Sequence, residues 1–105
     1  MSAMDRRELG SRVNGILDHL AKLDYLPQLR AWNESGWRRS IQNQRKEIDR
    51  LLDDKPSLKL DLTQTLVDDE YVKVLRSLLN DFPQSFFPAQ CPYRVSDVYP
   101  DFRRS

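Results

Sequence analysis

The stretch DRRELGSRVNGILDHLAKLDYL, Asp5–Leu26, decides the fold. Its apolar residues Leu9, Val13, Ile16, Leu20 and Leu23 recur at alternating spacings of four and three, and Leu17 and Leu26 widen the stripe. That is the period of an amphipathic helix, and the segment from residue 5 to 26 is expected to form one. Pro27 lacks an amide donor and disfavours helical backbone at Leu26, so the helix should stop there. Gly15 falls on the polar side of this helix, where it costs about 1 kcal/mol relative to alanine.

Beyond Pro27 the stretch PQLRAWNES carries turn formers, and Asn33 or Ser35 can cap a second helix. That helix is expected over residues 36–53, in GWRRSIQNQRKEIDRLLDD, with Trp37, Ile41, Ile48, Leu51 and Leu52 as its apolar side. Gln44 fills the slot between the two isoleucines, so the stripe is thin. Pro56 suits the first turn of a third helix over residues 56–80, whose inward positions include Leu58, Leu62, Leu66, Tyr71, Val74, Leu75 and Leu78. The alternation in SLKLDLT also fits a strand, but no second strand is available to pair with it. Leu20, Trp37, Ile41, Ile48 and Leu66 are the candidate structural core.

From Phe82 the character changes, with four of the six prolines and six of the ten aromatic residues in FPQSFFPAQCPYRVSDVYPDF. Solvated disordered tails are poor in aromatics. An extended arm, residues 82–105, is therefore expected to lie across the helices and bury Phe86, Phe87, Tyr93, Tyr99 and Phe102. Ser96 is placed to cap a single helical turn before Pro100.

Seventeen Lys and Arg against sixteen Asp and Glu give the 105-residue chain a net charge of +1, without the overall field that many nucleic-acid binders carry. The charge is distributed unevenly. Residues 30–50 are net +3 and residues 51–82 net −3, so the basic second helix either grips phosphate or pairs with an acidic neighbour in the same molecule or a dimer. Arg38, Arg39, Arg45 and Lys46 are its candidate basic surface. Glu47 and Asp49 among them repel a phosphate backbone, which makes the structural reading the stronger one.

Catalysis finds little support. His19 and Cys91 are the only histidine and cysteine, and Pro92 behind the cysteine offers no amide to an oxyanion. Cys91 reads better as a small apolar residue, and its solitude excludes an internal disulfide. The consecutive Asp68, Asp69 and Glu70 point about 100° apart on a helix and cannot converge on one ion, so they read as a solvated face. Gly10, Gly15 and Gly36 belong to neither phosphate-loop pattern, and no cofactor is expected. The N-terminus lacks a signal peptide's apolar core, and no run approaches the roughly 20 apolar residues that span a bilayer. A soluble, cytoplasmic protein is expected.

Several segments, taken in order, resemble the bacterial domain of unknown function 29 family: HLAKL with Pro27 beyond it, GWRRSIQNQRKEIDRLL, KPSLK, and a tail with FP, CPY and a final DF. The resemblance runs from about Arg7 onward. It implies an all-helical protein with an irregular C-terminal segment and no established activity. Relative to the family pattern, the chain begins after the usual N-terminal helical sequence, and the stretch between Pro27 and Trp37 is a few residues longer.

The expectation is an all-α fold: a three-helix bundle with an extended, proline- and aromatic-rich arm packed on it. The function that fits is a non-enzymatic interaction or structural module that contacts another protein or a second copy of itself. A homodimer through the first and third helices is expected, since Leu17, Leu26, Leu60, Val67, Val72 and Leu79 offer more apolar surface than such a bundle covers. A nucleic-acid-associated module using the second helix is the alternative.

Overall fold

In a computed structural model, residues 3–101 are described. They form α1 (Ala3–Tyr25), α2 (Pro27–Asp54), a 3-10 segment (Pro56–Asp61), α3 (Gln64–Asp81) and a short α4 (Val95–Val98), with no strand among the described residues. At a rise of about 1.5 Å per residue, the 28-residue α2 is roughly 42 Å long. It therefore spans the molecule, whose longest dimension is 41 Å.

Only Leu26, at φ −124° and ψ 60°, separates α1 from α2. Pro27 drives it out of the helical region and then occupies the first position of α2, where a missing amide costs nothing. Leu26 is fully buried and pins the corner. The expected helix start at Gly36 is thus corrected, because Pro27–Ser35 is helical throughout. Two features carry the helix through its weak formers. Asn33 turns its amide back onto the Leu29 carbonyl at 2.8 Å, and Glu34 accepts from Arg30 and Arg38, one turn either side, at 3.0 and 2.9 Å.

The α1–α2 hairpin is antiparallel, and its register can be read from charge pairs. Asp5 meets Lys55 at 2.7 Å, Glu8 meets Arg50 at 3.4 Å, and Arg12 meets Glu47 at 3.9 Å. Further along, Gln44 faces α1 and accepts from Arg12 at 3.2 Å. A Cβ on Gly15 would come 3.4 Å from the Gln44 side chain, so Gly15 lies on the α2-facing side of α1 and not on a free polar side. This packing accounts for the thin middle of the α2 stripe.

The expected third helix is divided. Pro56–Asp61 winds as a 3-10 turn that buries Leu58 and leaves Leu60 82% exposed. Thr63 then adopts extended backbone, and its hydroxyl accepts from the Leu66 amide at 3.1 Å, which starts α3. α3 crosses α1 near Gly10 and Asn14.

Leu9, Val13, Ile16 and Leu17 of α1, Ile48 of α2 and Val67 of α3 are fully buried in one cluster, joined by Phe87, Tyr93, Val98 and Tyr99 of the arm. Fully buried aliphatic side chains contribute about 1.5–3 kcal/mol each. The arm is helical over Val95–Val98, opened by the Arg94 amide donating to the Asp97 carboxylate at 2.8 Å. Phe86 contradicts the expectation of burial: it is 72% exposed, its ring set edge-to-face with Tyr25 at 6.0 Å between centroids. Phe102 lies outside the described residues.

Candidate functional site

The arm is fastened by side chains. Arg45 of α2 donates to the backbone carbonyls of Asp97 at 2.8 Å and Val98 at 3.0 Å. Tyr99 donates its hydroxyl to Asp49, and Tyr93 donates to Asp24 of α1 at 2.6 Å. From α3, Tyr71 donates to the Pro88 carbonyl at 2.7 Å, while Gln64 donates to the Tyr93 carbonyl at 2.9 Å and accepts from the Val95 amide at 3.1 Å. Burial raises the Tyr71 phenol to about 12. Burial, and secondarily the Asp24 and Asp49 carboxylates, push Tyr93 and Tyr99 upward as well. All three hydroxyls therefore remain donors at neutral pH.

These bonds correct part of the expected basic surface. Arg45 is half-buried and committed to the arm, with burial lowering its guanidinium pKa. Arg38 is exposed but paired with Glu34, whose carboxyl is held low chiefly by that hydrogen bond. Arg39 and Lys46 are exposed and, among the described residues, make no hydrogen bond or ion pair. Ile41 and Ile48 are buried, while Leu20, Trp37 and Leu66 are half-buried against the core.

Helical α2 from Pro27 brings together a row that the sequence reading missed. Gln28, Trp32, Ser35, Arg39, Gln42 and Lys46 follow one another at spacings of four and three, and all six are exposed. Trp32 is 89% exposed. The turn formers of Pro27–Ser35 conceal it in the sequence; with Pro27 as a helix start, the spacing from Trp32 to Arg39 and Lys46 exposes the row.

A groove of about 600 Å³ lies between α3 and the arm, with Asp68, Tyr71, Cys91 and Arg94 in its walls. Cys91 is half-buried, its thiol 3.4 Å from the Tyr93 carbonyl, and burial raises its pKa with Asp68 acting in the same direction. That environment is the opposite of the electropositive one that activates a thiol. His19 is bonded to the Gly15 carbonyl at 3.0 Å and does not line this groove. Among the described residues no group of three His, Cys, Asp or Glu side chains is arranged to hold a metal.

Glu70 departs from the expected solvated face. It is 8% exposed and points at α1, accepting from Asn14 at 3.1 Å and Lys73 at 3.0 Å. Gly10 leaves the space it occupies. Asp68 and Asp69 are exposed.

The family model described as Domain of unknown function DUF29 matches residues 1–102. The chain belongs to that family. No curated protein matches it, and no solved structure does. DUF29 is described by no function, so the match assigns no chemistry to these side chains. No helix among the described residues is long and apolar enough to cross a membrane.

Proposed function

We propose that this chain is a non-enzymatic, cytoplasmic helical module that works by protein–protein contact. The observation that carries this reading is Trp32, a large aromatic side chain held 89% exposed on the rigid turns of a helix. Exposed indoles on ordered backbone are the side chains interfaces use as anchors. Leu60, Val72, Leu79 and Phe86 supply further uncovered apolar area. The expected surplus on α1 does not exist, because Leu17 and Leu26 are fully buried within the chain, as is Val67 of α3.

The alternative of nucleic-acid contact is weakened by the same geometry. Arg30, Arg38, Arg45 and Arg50 are engaged within the molecule, leaving Arg39 and Lys46 as the unpaired cations of the second helix. Two phosphate contacts give a shallow salt dependence and little affinity. The raised Cys91 thiol likewise supports a role without nucleophilic chemistry. A photoreactive amino acid in place of Ser35, exposed one turn from Trp32 and leaving the indole intact, activated in the native host, tests the reading. A discrete protein adduct that survives nuclease supports it; no adduct, or one that nuclease removes, sinks it.

A further inference from the structure

The outer side of α2 carries no exposed carboxylate between Pro27 and Arg50. The three acidic residues of that stretch are half-buried and committed: Glu34 accepts from Arg30 and Arg38, Glu47 from Arg50, and Asp49 from Tyr99. Arg38 and Arg50 are thereby matched within the helix, whereas Arg39 and Lys46 have no hydrogen bond or ion pair among the described residues. Trp32, Arg39 and Lys46 stand seven residues apart, with Gln28, Ser35 and Gln42 at the alternate positions. That is the spacing of the seam along which a second helix packs. At the end of the row farthest from Trp32, Asp97 and Asp101 of the arm act on Arg45, and Asp101 shares a cleft with Lys46. The fold itself thus draws carboxylates to this side of α2.

Resting on the interaction-module reading and deepening it, we infer that this row receives an acidic helix of a different protein. The occupant carries an apolar residue where it crosses Trp32 and carboxylates at a seven-residue spacing that meet Arg39 and Lys46. A second copy of the row offers no carboxylate, so charge gives it nothing to pair with in itself. Nucleic acid fits the spacing less well. A duplex presents a phosphate about every 1.7 Å of its axis, so about six pass over the roughly 10.5 Å between Arg39 and Lys46. The other cations of α2 are already engaged and leave those phosphates unmet. An acidic helix, by contrast, sets one carboxylate against each free cation. The indole supplies contact area to any apolar partner, while the two cations select among partners by penalising basic ones.

Photocrosslinking from Ser35 and from Gln42 in the native host, followed by nuclease, identifies the occupant through mass spectrometry of the joined peptides. The expected segment is helical in period, with Asp or Glu at a seven-residue spacing and an apolar residue one heptad away. Synthesised and titrated calorimetrically against the intact chain, it should bind about tenfold or more weakly to the protein carrying Arg39→Glu and Lys46→Glu. The same segment with its facing acids changed to lysine should recover that loss. Trp32→Ala should weaken binding of the natural segment without altering its dependence on salt. Thermal melting of each variant shows that it is folded. A captured segment that is neutral or basic, an adduct between two copies of this chain, undiminished binding by the charge-reversed protein, or a charge exchange that recovers nothing overturns the inference and leaves the module reading standing. No adduct, or one that nuclease removes, overturns both.

Discussion

Three glycines in helices meet three different surroundings, which makes them a graded test of the fold. Gly36 lies about a third of the way along α2 with nothing within 4 Å of where a Cβ would stand. Gly36→Ala therefore gains only the helix-propensity difference, about 1 kcal/mol of added stability, or a rise of roughly 4–8 °C in Tm for a domain of this size. A Cβ at Gly15 would rest at 3.4 Å against Gln44, which Arg12 also holds, so part of the same gain is lost to readjustment. At Gly10 the Cβ would lie 3.0 Å from a carboxylate oxygen of Glu70, buried and bonded at both oxygens to Asn14 and Lys73. Overpacking costs about 1–3 kcal/mol and a displaced hydrogen bond about 1 more, against the same propensity gain, so Gly10→Ala should destabilise by about 1–3 kcal/mol. Urea denaturation followed by circular dichroism reads all three on one scale. Equal stabilisation by Gly10→Ala and Gly36→Ala would refute the buried position of Glu70, and a loss of stability in Gly36→Ala would mean that α2 breaks where the helix is drawn as continuous.

Arg45→Met removes both guanidinium bonds to the α4 carbonyls and should cost about 1–3 kcal/mol, with faster hydrogen exchange at the Val98 and Tyr99 amides. Arg45→Lys should not restore protection, because one ammonium cannot reproduce the two-pronged guanidinium. Tyr93→Phe keeps the buried ring and deletes its bond to Asp24, so a loss of about 1–2 kcal/mol in urea is expected, and an unchanged midpoint would contradict that contact. Tyr71, raised from 10.0 to about 12, keeps its proton in the folded state after the unfolded chain has released it. Its contribution is thus complete below pH 10 and lost as pH climbs through 12; urea midpoints should fall across that window, and less steeply in Tyr71→Phe.

The sequence made α1 legible because a complete apolar stripe ends at a proline, and it made the arm legible because aromatic residues cluster among prolines. The start of α2 was not legible, since Pro27 carries two opposite meanings, and Asn33, Ser35 and Gly36 imitate a turn. Only the Arg30–Glu34–Arg38 ladder, visible once the helix is laid out, argues the other way. The break before α3 was missed because Leu58 and Leu62 stay inward through the 3-10 turn, preserving a helical spacing across a change of direction. Arg45 and Glu70 were out of reach for a different reason: their partners lie 53 and 56 residues away, and charge alone marked both as solvated.

The way the arm is held separates stability from association. A proline-rich segment cannot make a regular ladder of backbone bonds. The helices supply the fastenings, Asp24 from α1, Arg45 and Asp49 from α2, and Gln64 and Tyr71 from α3, so loosening the arm disturbs all three together. Arm and helices should accordingly melt in a single transition. The outer row of α2 takes no part in these bonds: Trp32 and Arg39 are exposed, and Lys46, exposed at the rim of a cleft that Tyr99 and Asp101 also line, makes no hydrogen bond among the described residues. Substituting them should leave the monomer within about 0.5 kcal/mol of the natural chain, as exposed sites away from caps and packing generally do. Loss of partner binding in those variants therefore reports on the surface itself, whereas loss in Arg45 or Tyr93 variants reports on the scaffold that presents it.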